Sequence, residues 1–445
     1  MLATTCALPA AADPGPGCPP AGAGSALRYI VLFDRGTPAA DAQGEITGSC
    51  GVTTVYYPEI SVAVATSADP RFRTRLGPDR AFSAQATTPK QRRPEITPQA
   101  LRRTTVPVAD RTDEQWDMAM IEADAAHAIT LGSRNVVVGV LDSGIDATHP
   151  DLRAAVDPTL SAGCTTGRAD PAPTAWAPRN SSHGTHVAGT IAAAQDGKGI
   201  TGVAPGVRLA SVRVVDDAGR IYPEYAICGF MWAAAERMTI TNSSYFVDPW
   251  LFTCSKSGQK VVREALTRAV AYATDQKVLN VAAATNESVD MANPPDPSCR
   301  VLPAGLRGVL AVSAVGQDKL KAGYSAYGLG VVDVTAPGGE RLRGKGDADS
   351  GCVLSTVPGG YARSCGTSMA APHVSGVLAL LASKHPSASP ATLTRLLNNQ
   401  AEAVPCPADY DLSGTGTQDA YCSGYEPYNG FYGHGLVNAL AAVTR

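Results

Sequence analysis

Three residues of this chain are of the types, and in the settings, that let a hydroxyl, an imidazole and a carboxylate act together on a carbonyl. Ser368 lies in the run GTSMAAPHVSG at 366–376, between small residues at the start of a long apolar stretch that reads as a buried helix. A hydroxyl there meets the unpaired N–H groups of the helix start and the positive end of its dipole, which favours developing negative charge. Asp142 ends an apolar strand in VVVGVLDSGIDATHPDL at 136–152, and His183 opens a small-residue helix in SHGTHVAGT at 182–190. Serine is a poor nucleophile at neutral pH, so attack on an amide needs a base. Histidine, with an ordinary pKa of about 6.5, suits that task, and an acid on its other nitrogen fixes the tautomer and stabilises the imidazolium. Taken singly, each residue has an ordinary use as a helix cap, a packed histidine or a turn-capping acid.

The three motifs, in the order acid, histidine, serine, resemble those of the subtilisin family of serine proteases, over roughly the last three quarters of the chain. The resemblance implies Ser368 as nucleophile, His183 as general base and then acid, and Asp142 as the orienting carboxylate. It implies an oxyanion hole made by the Ser368 backbone N–H and the side-chain amide of Asn286, in the run VAAATNES at 281–288, with Thr285 where a glycine is usual. Substrate backbone is expected to pair with exposed strand edges. Ser243 and Ser244 match the wall of the substrate pocket, and Tyr245 replaces the usual glycine after them, which leaves pocket size and preference open. The tract 248–254 has no counterpart.

The elements that must position these residues are legible as short apolar strands alternating with helical stretches. Strands are predicted over 208–214, 239–242, 278–283, 309–315 and 331–335, and helices over 115–129, 183–194, 225–236, 261–274 and 368–384. Such alternation points to an α/β fold with a mostly parallel sheet and helices on both faces, the strands' carboxyl ends lining the active crevice. With the resemblance, this becomes a three-layer subtilisin-like fold over 114–445, closed by the run YGHGLVNALAAV at 432–443. Upstream, a strand at 26–34 and a strand pair at 53–66 predict a small α+β domain over 25–82, placed like the family's inhibitory propeptide. Residues 83–113, rich in Thr, Pro, Gln and Arg, read as a linker where a propeptide is cut, and 1–24 as a flexible segment.

The chain has 445 residues, 44% hydrophobic and 17% charged, with a formal net charge of -3. These values describe a globular protein and give no electrostatic case for nucleic acid or an acidic membrane surface. No apolar run approaches the ~20 residues of a membrane span. Eleven cysteines favour an oxidising compartment. Spacing pairs Cys352 with Cys365, Cys406 with Cys422, Cys254 with Cys299 and Cys18 with Cys50, leaving Cys6 over. Residues 2–13 resemble the end of a secretory signal without its basic start, a disordered tail being the alternative. Export is the reading adopted.

Two features invite other readings. His183 and His186 are spaced like a metal pair but lack the glutamate of a zinc helix, so no catalytic metal is expected. DYDLSGTG at 409–416 begins like a calcium loop, yet Ala420 stands at loop position twelve. A structural calcium is weighed there against a solvated acidic turn, and no cofactor is required. The expected function is a secreted, monomeric endopeptidase acting on protein or peptide substrates and held by its own propeptide. The alternatives are a leader-processing peptidase of the same family and an inactive relative that binds without cleaving.

Overall fold

The computed structural model describes residues 18, 25–87, 109–256, 258–341 and 349–445. Cys6, the expected flexible segment apart from Cys18, and the linker stretch 88–108 lie outside them. The main sheet has seven strands in the order β11-β10-β9-β8-β5-β7-β6. These are β5 Val137–Asp142, β6 Ala162–Gly163, β7 Arg208–Arg213, β8 Ile240–Ser243, β9 Leu279–Ala283, β10 Val309–Val315 and β11 Val334–Pro337. Every pairing among them is parallel.

A parallel strand covered on both faces reads as an unbroken apolar run whose alternate side chains enter different cores. In β5, Val138 and Val140 join one core, with the helices His183–Ala192 and Thr367–Lys384, while Val137 and Leu141 join the other, with Pro223–Ala235 and Gln259–Asp275. The histidine and serine helices therefore lie on the same side of the sheet. A hairpin, β12 Val353–Val357 and β13 Gly360–Ser364, leads into the serine helix and is tied at its base by Cys352–Cys365.

The amino-terminal residues form a separate four-stranded antiparallel sheet, order β2-β3-β1-β4, with β1 Leu27–Leu32, β2 Val52–Tyr57, β3 Val62–Ser67 and β4 Ala81–Phe82. One face carries its own core, in which Tyr29, Val31, Ala63 and Ala65 meet Ile46 of the helix Ala39–Gly48 and Phe72. The other face presents Ile30, Val62 and Phe82 to the core of the larger domain. Polar contacts surround this seam. Arg268 donates to Phe33 O at 2.9 Å and Ile60 O at 3.1 Å, Lys260 pairs with Asp79 at 2.9 Å, and Arg28 donates to the Tyr225 hydroxyl at 3.0 Å.

Several expectations need correction. The helix predicted over 115–129 is two short ones, Trp116–Met120 and Ala123–His127, because Glu122 between them takes a left-handed backbone, φ 57°. The strand predicted over 331–335 begins only at Val334. All four expected disulfides are present, and Cys164–Cys228 is a fifth. The chain at 109–115 is stitched to the larger domain. Arg111 N donates to Gly199 O at 2.7 Å, and the Gln115 side chain exchanges bonds with Thr201 N and O at 2.8 and 2.9 Å.

Candidate active site

Asp142 is the last residue of β5, at the carboxyl end of the sheet, and is fully buried. The next residue turns the chain. Ser143 N donates to Asp142 Oδ1 at 2.7 Å, and the Ser143 hydroxyl accepts from Gly184 N at 2.9 Å, which fastens the start of the histidine helix to the strand end. The approach is close enough to require glycine: a Cβ on Gly184 would lie 2.6 Å from Gly144 O. His183 is thereby brought to Asp142, its Nδ1 2.8 Å from Oδ1 and 3.0 Å from Oδ2. With Nδ1–H donated to the carboxylate, neutral His183 carries no proton on Nε2, the form a general base needs.

Ser368 is the second residue of the helix Thr367–Lys384 and is 6% exposed. Pro372, four residues on, has no N–H to give the Ser368 carbonyl. The Ser244 hydroxyl donates to that carbonyl instead, at 2.9 Å, and Ser368 Oγ donates to Ser244 O at 3.0 Å. Behind them, Asn242 Nδ2 donates to Ser244 Oγ at 2.9 Å and Ser375 Oγ donates to Asn242 Oδ1 at 2.8 Å. This buried chain of bonds joins the end of β8 to the serine helix.

Asn286 follows β9 with an exposed side chain. Its Oδ1 accepts from both Thr367 N at 2.8 Å and Thr367 Oγ1 at 2.9 Å, so the amide nitrogen faces the other way. A Cβ placed on Gly366 would lie 3.4 Å from Asn286 Nδ2 and 3.7 Å from Ser368 N. Two donors thus flank the space that the absent side chain leaves open. Thr285 adopts φ 99°, a region where a β-branched residue is strained, and its carbonyl accepts from Ala326 N at 3.0 Å.

The residues expected at the pocket wall are buried. Ser243, Ser244 and Tyr245 are at most 2% exposed, and Tyr245 belongs to the core shared with Phe246 and Val247. Their side chains are packed inward. Burial raises the Tyr245 phenol pKa. The unassigned tract 248–254 meets the amino-terminal domain, with Trp250 and Phe82 ring centres 5.2 Å apart.

Three further histidines have structural partners. His186 is buried beside Ala362 O at 3.1 Å, and burial pushes its pKa down to about 3. His373 sits between Met369 O at 2.8 Å and Asp117 at 3.0 Å, and His434 lies against the Tyr428 ring. In the loop at 409–416, Asp411 accepts from Thr415 N, Gly416 N and Ser413 Oγ, and Asp419 from Ser413. Those carboxylates accept hydrogen bonds from their own turn, and among the described residues no cluster of three His, Cys, Asp or Glu is placed to hold a metal. Sequence reasoning missed Asn242 and Ser375. The available signal was four polar residues, 241–244, in and after a central buried strand.

Comparison with known proteins gives a consistent pattern. The Subtilase family profile matches residues 133–435. The chain is 33% identical over 329 residues to subtilisin NAT of Bacillus subtilis subsp. natto, covering 74% of this chain and 71% of that protein. It is 32% identical over 330 residues to fervidolysin of Fervidobacterium pennivorans, covering 68% of this chain but only 42% of the relative. In fold it is similar to the epidermin leader peptide processing serine protease of Staphylococcus aureus, with a TM-score of 0.70, 20% identity, and coverage of 94% of this chain and 98% of the other.

Proposed function

The chain belongs to the subtilase family of serine proteases, and from that premise we propose that it is an exported endopeptidase with Asp142, His183 and Ser368 as its triad. The Ser368 hydroxyl, which donates to Ser244 O in the resting structure, turns to His183 Nε2, and Oγ attacks the scissile carbonyl carbon as its proton passes to that nitrogen. The oxyanion is received by Ser368 N and Asn286 Nδ2, donors worth roughly 3 kcal/mol each when lost. The intermediate collapses, His183 returns the proton to the leaving amine, and water, activated by the same imidazole, frees the acyl group from Ser368. The observation that carries this reading is the 2.8 Å contact of His183 with a fully buried Asp142.

In the same reading, residues 25–82 are an inhibitory propeptide and the enzyme is made as a zymogen. Support comes from the seam along Ile30, Val62 and Phe82, and from the stitching of 109–115 to the larger domain, since a cut upstream of Ala109 would leave that stitched segment with the mature enzyme. The test compares wild type with Ser368→Ala. Wild type should react with a fluorophosphonate and lose its amino-terminal segment by mass spectrometry, whereas the variant should do neither. Labelling of the variant at the wild-type level would overturn the assignment of Ser368.

A second reading, a narrow leader-processing peptidase, is favoured by the fold match that includes the amino-terminal domain. A mixed peptide library separates the two: cleavage at many sequences supports the general endopeptidase, and cleavage confined to one motif supports the processing enzyme.

A further inference from the structure

Behind the loop that carries Asn286 lies a turn anchored by a buried lysine. Lys321 is 1% exposed. Its ammonium lies 5.0 Å from the ring centre of Tyr410, 5.2 Å from Tyr327 and 5.3 Å from Phe431. It donates to Ser325 O at 2.7 Å and Ala322 O at 3.1 Å. Ring faces and carbonyl oxygens together surround a desolvated cation with negative potential. The lysine backbone is gripped as well: the Tyr410 hydroxyl donates to Lys321 O at 2.8 Å, and Lys321 N donates to the Tyr432 hydroxyl at 3.3 Å.

The turn fixed in this way meets both flanks of Asn286. On one side, Ala326 N donates to Thr285 O at 3.0 Å. On the other, Ser288 N donates to Tyr324 O at 2.9 Å and Ser288 Oγ to Gly323 O at 2.6 Å. A strained residue such as Thr285 persists only where its surroundings over-determine it, and the turn at 321–326 supplies that restraint. We propose that Lys321 is a positioning residue for the oxyanion donor. Its caged ammonium sets the turn, the turn sets Thr285 and Ser288, and these set the direction of Asn286 Nδ2. The inference rests on Asn286 being an oxyanion donor. Displacing such a donor weakens a bond made chiefly in the transition state, so the effect falls on kcat and not on KM.

Lys321→Met keeps the aliphatic stem and removes the charge. It is combined with Asn286→Ala in a four-enzyme cycle, with kcat and KM measured on one peptide substrate and folding followed by Tm. Lys321→Met is expected to lower kcat by about tenfold or more with KM within about twofold, and to change kcat by less than about twofold once Asn286 is alanine. An unchanged kcat in folded Lys321→Met, or the same loss in both backgrounds, overturns the proposal. If Asn286→Ala alone leaves kcat unchanged, the oxyanion reading of Asn286 fails and the proposal falls with it, an outcome distinct from the other two. Should Lys321→Met not fold, Tyr410→Phe carries the same cycle, since it removes one hydroxyl from Lys321 O. The expected loss is then about threefold and confined to the Asn286 background; no loss, or equal losses, overturns the proposal.

Discussion

Ser244 and Ser368 exchange hydrogen bonds across 124 positions of sequence, each hydroxyl donating to the other residue's carbonyl oxygen. The Ser368 carbonyl is open to the Ser244 hydroxyl because Pro372 withholds the amide that would otherwise take it. Ser244→Ala should therefore leave a buried acceptor unpaired and cost about 1–3 kcal/mol in denaturant unfolding. Pro372→Ala restores a donor, so its stabilising effect should be larger in the Ser244→Ala background than in wild type. Equal effects in the two backgrounds would show that the serine hydroxyl does not serve that carbonyl.

Gly366 borders the space between Asn286 Nδ2 and Ser368 N, and its φ of 160° is extended backbone open to any residue. Gly366→Ala should therefore fold normally while placing a methyl group where the oxyanion must sit. We expect kcat to fall by at least about a hundredfold, comparable with loss of one donor, with Tm within a few degrees of wild type. Full activity in the alanine variant would mean that the two donors converge elsewhere.

Thr285, at φ 99°, occupies a conformation that glycine adopts freely. Thr285→Gly should relieve strain worth about 1–3 kcal/mol and lose some of that gain to unfolded-state entropy and to the bond from Glu287 N, a net rise of about 1 kcal/mol. A fall in Tm would contradict this.

His186 gives the enzyme's stability an acid limit, set first by burial and next by the neighbouring His183. Its imidazole is held neutral in the fold down to about pH 3 but takes a proton near its ordinary value of 6.5 when unfolded. Between those values the unfolded state binds more protons, so stability falls as pH falls, by at most about 1.4 kcal/mol per pH unit. His186→Gln should flatten this slope between pH 6.5 and 3 in denaturant titrations, relative to wild type.

What the sequence made legible is what lies within contiguous motifs. Asp142, His183 and Ser368 each sit in a local frame of strand end or helix start, so their settings could be read without knowing the partner segments. The two cores were implicit in the unbroken apolar run of β5. By contrast, the cage around Lys321 draws Tyr327, Tyr410 and Phe431 from separate segments, and no local pattern announces their convergence. The helix break at Glu122 also escaped, because helix-favouring residues on both sides outvote one residue whose left-handed backbone is set by tertiary packing. The inward turn of Tyr245 was hidden for a similar reason: a motif position specifies the backbone path and not which face is covered.

On the propeptide reading proposed above, the seam along Ile30, Val62 and Phe82 would behave differently before and after the chain is cut. While the chain is continuous, the amino-terminal domain faces its binding surface at an effective concentration on the order of millimolar, whatever the protein concentration. Cleavage would turn the same contact into a bimolecular equilibrium. Occupancy of the seam would then follow total concentration, so on that reading dilution would become an activating signal: a crowded compartment would keep the cut pair associated, and escape into a large volume would separate it.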